Sequence, residues 1–517
     1  MELLQLAVGL ALVVAAWLIP RHTAGTRPVF GAALGLDVAP ALVTAILLTV
    51  ITGRPLFGGL VVFALGVGFT IADRAMRETL REPVVFQAMS ELPQVFTHPH
   101  LYLPFAGPGL VIGGAAGAVI AGLAILVFVP PVWDPAPLSG LAVALVIGIA
   151  YWRLGCPPLL ARIADLFRRL DISGDPTLDA ATLGPFTMLL VHCTIARAER
   201  RDRQQALKPN PASFVAGRAR KGPIVVVQCE SFFDARRLSP LVPPELLSGF
   251  AECCRSAAMH GGLVVPGWGA NTMRAEFAFL TGIPEAELGY DRFNPYYALA
   301  RVPIASHAWQ LREAGYRTIC LHPFDRRFFR RDLVMPALGF ERFLGREALD
   351  GTNAPPYQPD PDLAHQVLRV LDQEGPDSFV FVITMGNHGP WLDRETPLDR
   401  VVAGCLDPEA VPQGQELLRY LDGLRRSDEM LRILMTGLAA RHPDAILVLY
   451  GDHLPSLPHA FEHFGFTELH SDYVIWPGAG GITRHVDLPA HLLGQAVVEA
   501  AIGGGRETEK VPQRAAR

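Results

Sequence analysis

At 517 residues, half of them hydrophobic, the chain is too long for one ordinary domain, and its first third differs sharply in character from the rest. Its 45 Lys+Arg against 50 Asp+Glu, a formal net charge of −5, argue against the concentrated basic face of a nucleic-acid binder, so no nucleic-acid partner is expected. The seven cysteines show no paired metal-ligand spacing, and several lie in apolar runs where a cysteine serves as a small buried hydrophobe.

Apolar stretches almost free of charge run near Leu3 to Ile19, Leu36 to Ile51, Leu56 to Ile71, Gly107 to Pro130 and Leu138 to Tyr151. Runs approaching the roughly 20 residues needed to cross a bilayer predict about five transmembrane helices in residues 1–155, the second and fifth being the weakest. Met1 to Gln5 has no basic residue and no small-residue cleavage site follows, which favours a span over a signal peptide. An odd number of spans puts the chain ends on opposite sides, so a catalytic part outside the cytoplasm requires a cytoplasmic N-terminus. Arg74, Arg77 and Arg81 then lie outside, against the positive-inside rule. Either one span is miscounted, or REPVVFQAMSELPQVF is an interfacial segment whose arginines meet lipid phosphates.

Residues 156–221 turn helical and charged, with ARIADLFRRLD and TIARAERRDRQQALKPNP predicting membrane-surface helices, or a solvated connector, and a linker. Over residues 222–502, short β-branched runs (IVVVQ, TICL, FVFVIT, AILVLY) alternate with longer helical or irregular segments, an α/β pattern. Uninterrupted apolar strands predict a mostly parallel sheet covered on both faces, with ligands at the carboxyl ends of the strands. The tail from Gly503 to Arg517 is expected to be disordered.

Polar residues stand at those ends: Glu230 after IVVVQC, His388 after FVFVITMGN, and Asp452-His453 after ILVLYG. A buried strand ending in two adjacent ionisable groups is costly unless they are paired or bound to a metal. Glu230, Asp452 and His453, with Thr272 completing the set, suit one divalent cation; Mn²⁺ is placed first, with Mg²⁺ or Zn²⁺ as alternatives. Thr272 lies in the Gly-rich turn GWGANTMRAEF, where a bound cation would lower its pKa for attack as a nucleophile. Taken alone, Thr272 reads equally as the N-cap of the helix that follows, and Glu230 as an ion-pair or capping residue. His388, in MGNHGPW, is a candidate to bind phosphate or act as general acid/base. The segment LHPFDRRFFRRD suits an anionic head group, with His322 and Arg331 the residues to retain.

With these residues in place, the chain resembles the lipoteichoic acid synthase and phosphoglycerol transferase family of the alkaline phosphatase and sulfatase superfamily. The likeness rests on Glu230 of QCESF, on Thr272 followed by Glu276-Phe277, and on the LTG turn from Leu280 to Gly282. It continues through His322, Phe329, Arg331 and Asp332, the strand-end Asn387-His388, and Gly451 to His453. It implies a multi-pass protein of the bacterial cell membrane with an extracytoplasmic sulfatase-like domain. The implied reaction has two steps: Thr272 takes phosphoglycerol from phosphatidylglycerol, and a surface glycan or polymer hydroxyl takes it from Thr272. His322, Asp325, Phe329 and Arg331 are the implied substrate-binding residues. Two departures stand out: Phe324 replaces an aspartate that reads the glycerol head group, with Asp325 as its substitute, and Phe329 replaces a tryptophan. Phosphoethanolamine transfer and sulfatase-like phosphodiester hydrolysis are the alternatives. A sulfatase proper needs a Cys or Ser in C/S-x-P-x-R, where residues 272–276 read TMRAE.

Overall fold

The computed structural model describes residues 1–135, 139–210, 222–299, 302–349, 357–391, 397–477 and 483–502; the tail expected to be disordered, and the last part of the expected linker, lie outside them. The chain packs as two units. One comprises Met1–Arg203 with the short segment Gly289–Phe293, and the other Gln204–Leu288 with Asn294–Arg517.

In the first unit, among the described residues, four helices are long and apolar enough to cross a membrane: Glu2–Thr23, Gly31–Thr52, Pro55–Leu80 and Pro108–Phe128. The fifth expected span is the helix Ser139–Leu154, whose 16 residues rise only about 24 Å against a hydrocarbon core of about 30 Å. Small residues let the helices approach closely, as apolar packing in lipid requires. A Cβ on Gly59 would meet the Gly9 carbonyl oxygen at 2.5 Å, and one on Gly66 would meet that of Ala16 at 2.7 Å. The outer faces carry Leu110, Ile120 and Val127, all exposed, as lipid-facing surfaces do. These features fit a membrane-anchored protein.

Several charges in this unit are buried and paired. Asp37, fully buried near the start of its helix, accepts from Arg21 (2.5 Å), Trp17 Nε1 (2.8 Å) and the backbone N–H groups of Phe186 (3.0 Å) and Thr187 (3.2 Å). Those N–H groups open the helix Pro185–Ala206, so one carboxylate caps it and ties it to two apolar helices. REPVVFQ turns back on the preceding helix, with Asp73 accepting from Val84 N (2.8 Å) and Arg77 Nε (2.7 Å). The Gly289–Phe293 segment packs here as well: Asp291 takes ion pairs from Arg200 (2.7 Å) and Arg203 (2.5 Å), and Tyr290 lies on the His192 ring.

The second unit is built on one sheet. Its strands are β1 (Ile224–Cys229), β2 (Met259–Val264), β3 (Arg317–Leu321), β4 (Arg342–Leu344), β5 (Ser378–Ile383), β6 (Ile446–Gly451), β7 (His470–Pro477), β8 (Arg484–His485) and β9 (Leu488–Pro489). They lie in the order β4-β3-β5-β1-β6-β7-β2-β8, with β9 beside β2. The five from β4 to β6 are parallel. β7 runs antiparallel to both β6 and β2, so β2 points the same way as the parallel block.

All residues of β1, β5 and β6 are buried, as the unbroken apolar runs predict. Side chains alternate between the two faces. Val225, Val227 and Cys229 pack under the helices Asp360–Glu374 and Gly414–Arg441, while Ile224 and Val226 pack under Thr272–Thr281 and Ala490–Ile502. The expected architecture, an N-terminal bundle of apolar helices followed by an α/β domain with a mostly parallel sheet, is the one observed.

Candidate functional site

The carboxyl ends of β3, β5, β1 and β6 share one edge, because these strands are parallel neighbours. Cys229 pairs in register with Gly451, so Glu230 and Asp452 leave adjacent strand ends side by side. Both follow the alternation of Val226-Gln228 and Val448-Tyr450, which puts them on the face covered by the helix Thr272–Thr281. Ligand atoms of Glu230, Asp452 and His453 lie within 4.8 Å of one another, and all three residues are buried.

The hydrogen bonds of this cluster are lopsided. Asp452 Oδ1 accepts from Ser231 N (2.8 Å) and His453 N (2.9 Å), whereas Asp452 Oδ2 has no partner. His453 Nδ1 lies 3.0 Å from the Leu454 carbonyl, which can only accept, so Nδ1 carries the proton and Nε2 presents its lone pair. That lone pair faces Glu230 Oε1 and Asp452 Oδ2, each at 3.4 Å, with no hydrogen bond to either. Three electron-rich atoms facing one another inside a buried site repel unless a cation lies among them. Burial, reinforced by the neighbouring Asp452, accordingly pushes the Glu230 carboxyl up to about 8. The donor set and the carbonyl-anchored imidazole fit a divalent metal ion.

Thr272 is buried and is the first residue of its helix. The capping role weighed for it falls instead to Asn271, which sits in the left-handed region (φ 67) and makes no side-chain cap bond. The GWGAN turn is tied to the residues after His453: Gly269 N donates to Leu454 O at 3.1 Å, and Gly269 bridges Pro455. Because β2 points with the parallel block, this turn and the head of the helix come to the same edge as Glu230 and Asp452. The helix N-terminus there favours an anion.

His322 and Arg331 are placed together, but inward. Arg331 is 1% exposed, and its guanidinium donates to Glu276 (2.9 Å from Nη2) and to His322 Nε2 (3.2 Å). Arg331 thus meets in Glu276 the carboxylate that a buried guanidinium demands. His322 Nδ1 donates to Ile383 O at 3.1 Å; burial, then the Arg331 charge, hold this histidine well below its usual pKa, hence neutral. His388 is near enough to add to that depression; it is half-buried beside Tyr357 and hydrogen-bonds the Gly389 carbonyl through Nδ1. Phe324 is buried among Phe328, Tyr357 and the His322 ring. Asp325 is ion-paired with Arg327 at 2.9 Å, and Phe329 lies under the Arg331 guanidinium at 5.3 Å.

Backbone strain concentrates around these residues. Ser231 (φ 55), Asn271 (φ 67), Phe329 (φ 53) and Arg330 (φ 58) are non-glycine residues in the left-handed region, each beside a candidate residue. The sequence reading did not single out Gln228, Tyr296 or Tyr450, which are fully buried and joined to Glu276 by hydrogen bonds. The signal was a polar residue inside each of the apolar runs IVVVQC and ILVLYG.

Comparison with known proteins agrees with this architecture. The chain is 28% identical over 440 residues to the capsular polysaccharide biosynthesis protein RkpI of Rhizobium meliloti, covering 83% of this chain and 78% of that one. The lipooligosaccharide phosphoethanolamine transferase EptA of Neisseria meningitidis matches in structure with a TM-score of 0.50 at 12% identity, over 96% of this chain and 95% of its own. The phosphoglycerol transferase GacH of Streptococcus pyogenes matches with a TM-score of 0.41 at 20% identity, over 60% of this chain and 80% of that chain. The sulfatase family profile matches residues 224–494, more than half of the sequence, and the chain belongs to the sulfatase family.

Proposed function

We propose that the protein is a membrane-anchored, metal-dependent transferase that moves the phosphoglycerol head group of phosphatidylglycerol to an envelope glycan or polymer through a covalent bond to Thr272. The observation that carries this reading is the buried Glu230–Asp452–His453 cluster with its unpartnered acceptor atoms, at the edge reached by the Thr272 turn. Glu230, Asp452 and His453, with the Thr272 hydroxyl, would hold one divalent cation, Mn²⁺ before Mg²⁺ or Zn²⁺, and such an ion would supply charge stabilisation at phosphorus and acidify the hydroxyl.

Thr272 gives up its proton to solvent and attacks phosphorus; the Thr272 Oγ–P bond forms as the bond from phosphorus to the diacylglycerol oxygen breaks. His388 delivers a proton to that oxygen and later removes one from the acceptor hydroxyl, whose oxygen bonds to phosphorus as the Thr272 Oγ–P bond breaks, and Thr272 takes a proton back from solvent. The positive end of the helix that begins at Thr272 favours the negative charge of the phosphate. The neutral His322, Asp325, Phe329 and Arg331 border the head-group side, with Arg331 acting through Glu276 and His322. The likeness to a capsular polysaccharide biosynthesis protein supports a saccharide acceptor. The first unit keeps the chain at the bilayer that delivers the donor, with the second unit on the extracytoplasmic side. Phosphoethanolamine is the second head-group reading, favoured by the aromatic wall of Phe324, Phe328 and Tyr357, whose faces suit an ammonium.

Intact-protein mass spectrometry after incubation with phosphatidylglycerol or phosphatidylethanolamine tests this. A glycerol-phosphate adduct absent from Thr272→Ala is the expected result. An ethanolamine-phosphate adduct selects the second reading, and no adduct with either lipid rejects both.

A further inference from the structure

Beneath the candidate site lies a continuous layer of buried polar groups. Tyr450 donates to Gln228 Oε1 at 2.5 Å, and Gln228 Nε2 donates to Glu276 Oε2 at 3.2 Å. Tyr296 donates to Glu276 Oε1 at 2.5 Å, and Arg331 bridges Glu276 to His322. Gln228, Glu276, Tyr296, Tyr450 and His322 are fully buried, and Arg331 nearly so.

The layer stands in a fixed relation to the residues above it. Gln228 of β1 stands two positions before Glu230, and Tyr450 of β6 two positions before Asp452, each acid lying just past the carboxyl end of its strand on the course of the same sheet face. Glu276 follows Thr272 by four positions in one helix, and side chains so spaced lie on one side of it. Glu276 therefore sets the rotation of the helix about its axis and the direction of Thr272. Its bonds reach β1 directly and β6 through Gln228, the two strands that carry Glu230 and Asp452. A hydrocarbon layer would support the same fold without tying these elements in register. Polar groups in such a place cost stability unless every one is satisfied.

We propose that Gln228, Glu276, Tyr296 and Tyr450 are positioning residues that fix Thr272 against Glu230 and Asp452 for the transfer reaction, a role that rests on the function proposed above. They touch neither donor nor acceptor. Their contribution is the register between the attacking oxygen and the metal-binding cluster, where a shift of about 1 Å is worth on the order of a hundredfold in rate.

The test uses the full-length protein in detergent, loaded with Mn²⁺, and follows cleavage of bis(4-nitrophenyl) phosphate. Tyr296→Phe and Tyr450→Phe each delete one hydroxyl and preserve the ring. Each is expected to lower kcat by about tenfold or more, with KM held within about twofold and bound manganese unchanged. The double variant is expected to lose less than the product of the two, because both hydroxyls act through Glu276. Wild-type kcat in both single variants overturns the proposal. So does a loss of kcat that follows loss of manganese or of the melting transition, which marks a purely structural role. Glu276→Gln, the harsher change, is expected to give a larger fall in kcat with the same KM. Head-group transfer from phospholipid is measured in parallel. A wild-type protein that cleaves the artificial diester yet transfers nothing overturns the proposed function and leaves the positioning layer standing on its own kinetics.

Discussion

Asp37 among the apolar helices and Asp452 at the sheet edge are both essentially buried carboxylates, and they are treated in opposite ways. Asp37 has each oxygen matched by two donors, one of them a guanidinium. Asp452 has one oxygen doubly matched and the other bare, facing an imidazole lone pair. A satisfied buried acid holds helices together. One left half-satisfied against other acceptors is matched to something the chain itself does not contain. Burial alone is the same in both places, so the count of donors per oxygen distinguishes a structural acid from a candidate ligand.

If that contrast is right, changes at the two places must separate in their effects. At the sheet edge, Thr272→Ala is expected to cut head-group transfer by about 10⁴-fold or more while the melting temperature stays near that of wild type; residual transfer within tenfold would remove Thr272 from the reaction. Among the apolar helices, Asp37→Ala strands the Arg21 guanidinium. It is expected to cost about 3–5 kcal/mol, read as a lower melting temperature in detergent with bound metal unaltered. Chelation tests the bare oxygen directly. EDTA is expected to destabilise wild type by about 3 kcal/mol relative to Mn²⁺ at a hundredfold excess over Kd. In Asp452→Ala this difference vanishes, and a difference that survives there would place the ion elsewhere.

A third buried acid refines the comparison. Asp360 accepts from Ser427 (2.7 Å) and Gly386 N (3.1 Å), bracing the loop that bears His388, and its carboxyl is raised to about 6, mainly by burial. The unfolded acid releases its proton near pH 4, so between about pH 4 and 6 the folded chain binds the extra proton. Stability therefore falls as pH rises through that window, by roughly 2–3 kcal/mol, and is flat above it. Asp360→Asn is expected to flatten this slope in melts run from pH 4 to 7; an unchanged slope would assign it to another group.

Much of the sheet edge was legible because each unbroken apolar run ends in a residue that cannot stay buried unpaired: Glu230, His388 and Asp452-His453 announce themselves by where they interrupt the pattern. Partners far apart in sequence were not legible. Arg331 and Glu276 are separated by 55 positions, and nothing local says that the arginine turns inward; Asp37 lies 149 positions from Phe186. The fifth apolar run fell short as a helix because composition marks an apolar stretch without fixing its ends. The antiparallel placement of β7 was equally hidden, since alternation along a strand carries no information about its direction. Gln228 and Tyr450 were visible as polar interruptions, but their use depends on Glu276 arriving from another element.

The strained turns at Ser231, Asn271, Phe329 and Arg330 constrain how this protein can adapt to heat. Each left-handed non-glycine residue holds back on the order of 1 kcal/mol that a glycine would release, so selection for thermal tolerance finds easy gains at these four places. All four are candidate site residues or their immediate neighbours, where the proposed reaction constrains the backbone. A lineage that moves to warmer habitats must therefore find its stability in the apolar helices and the outer strands, or accept a slower catalyst.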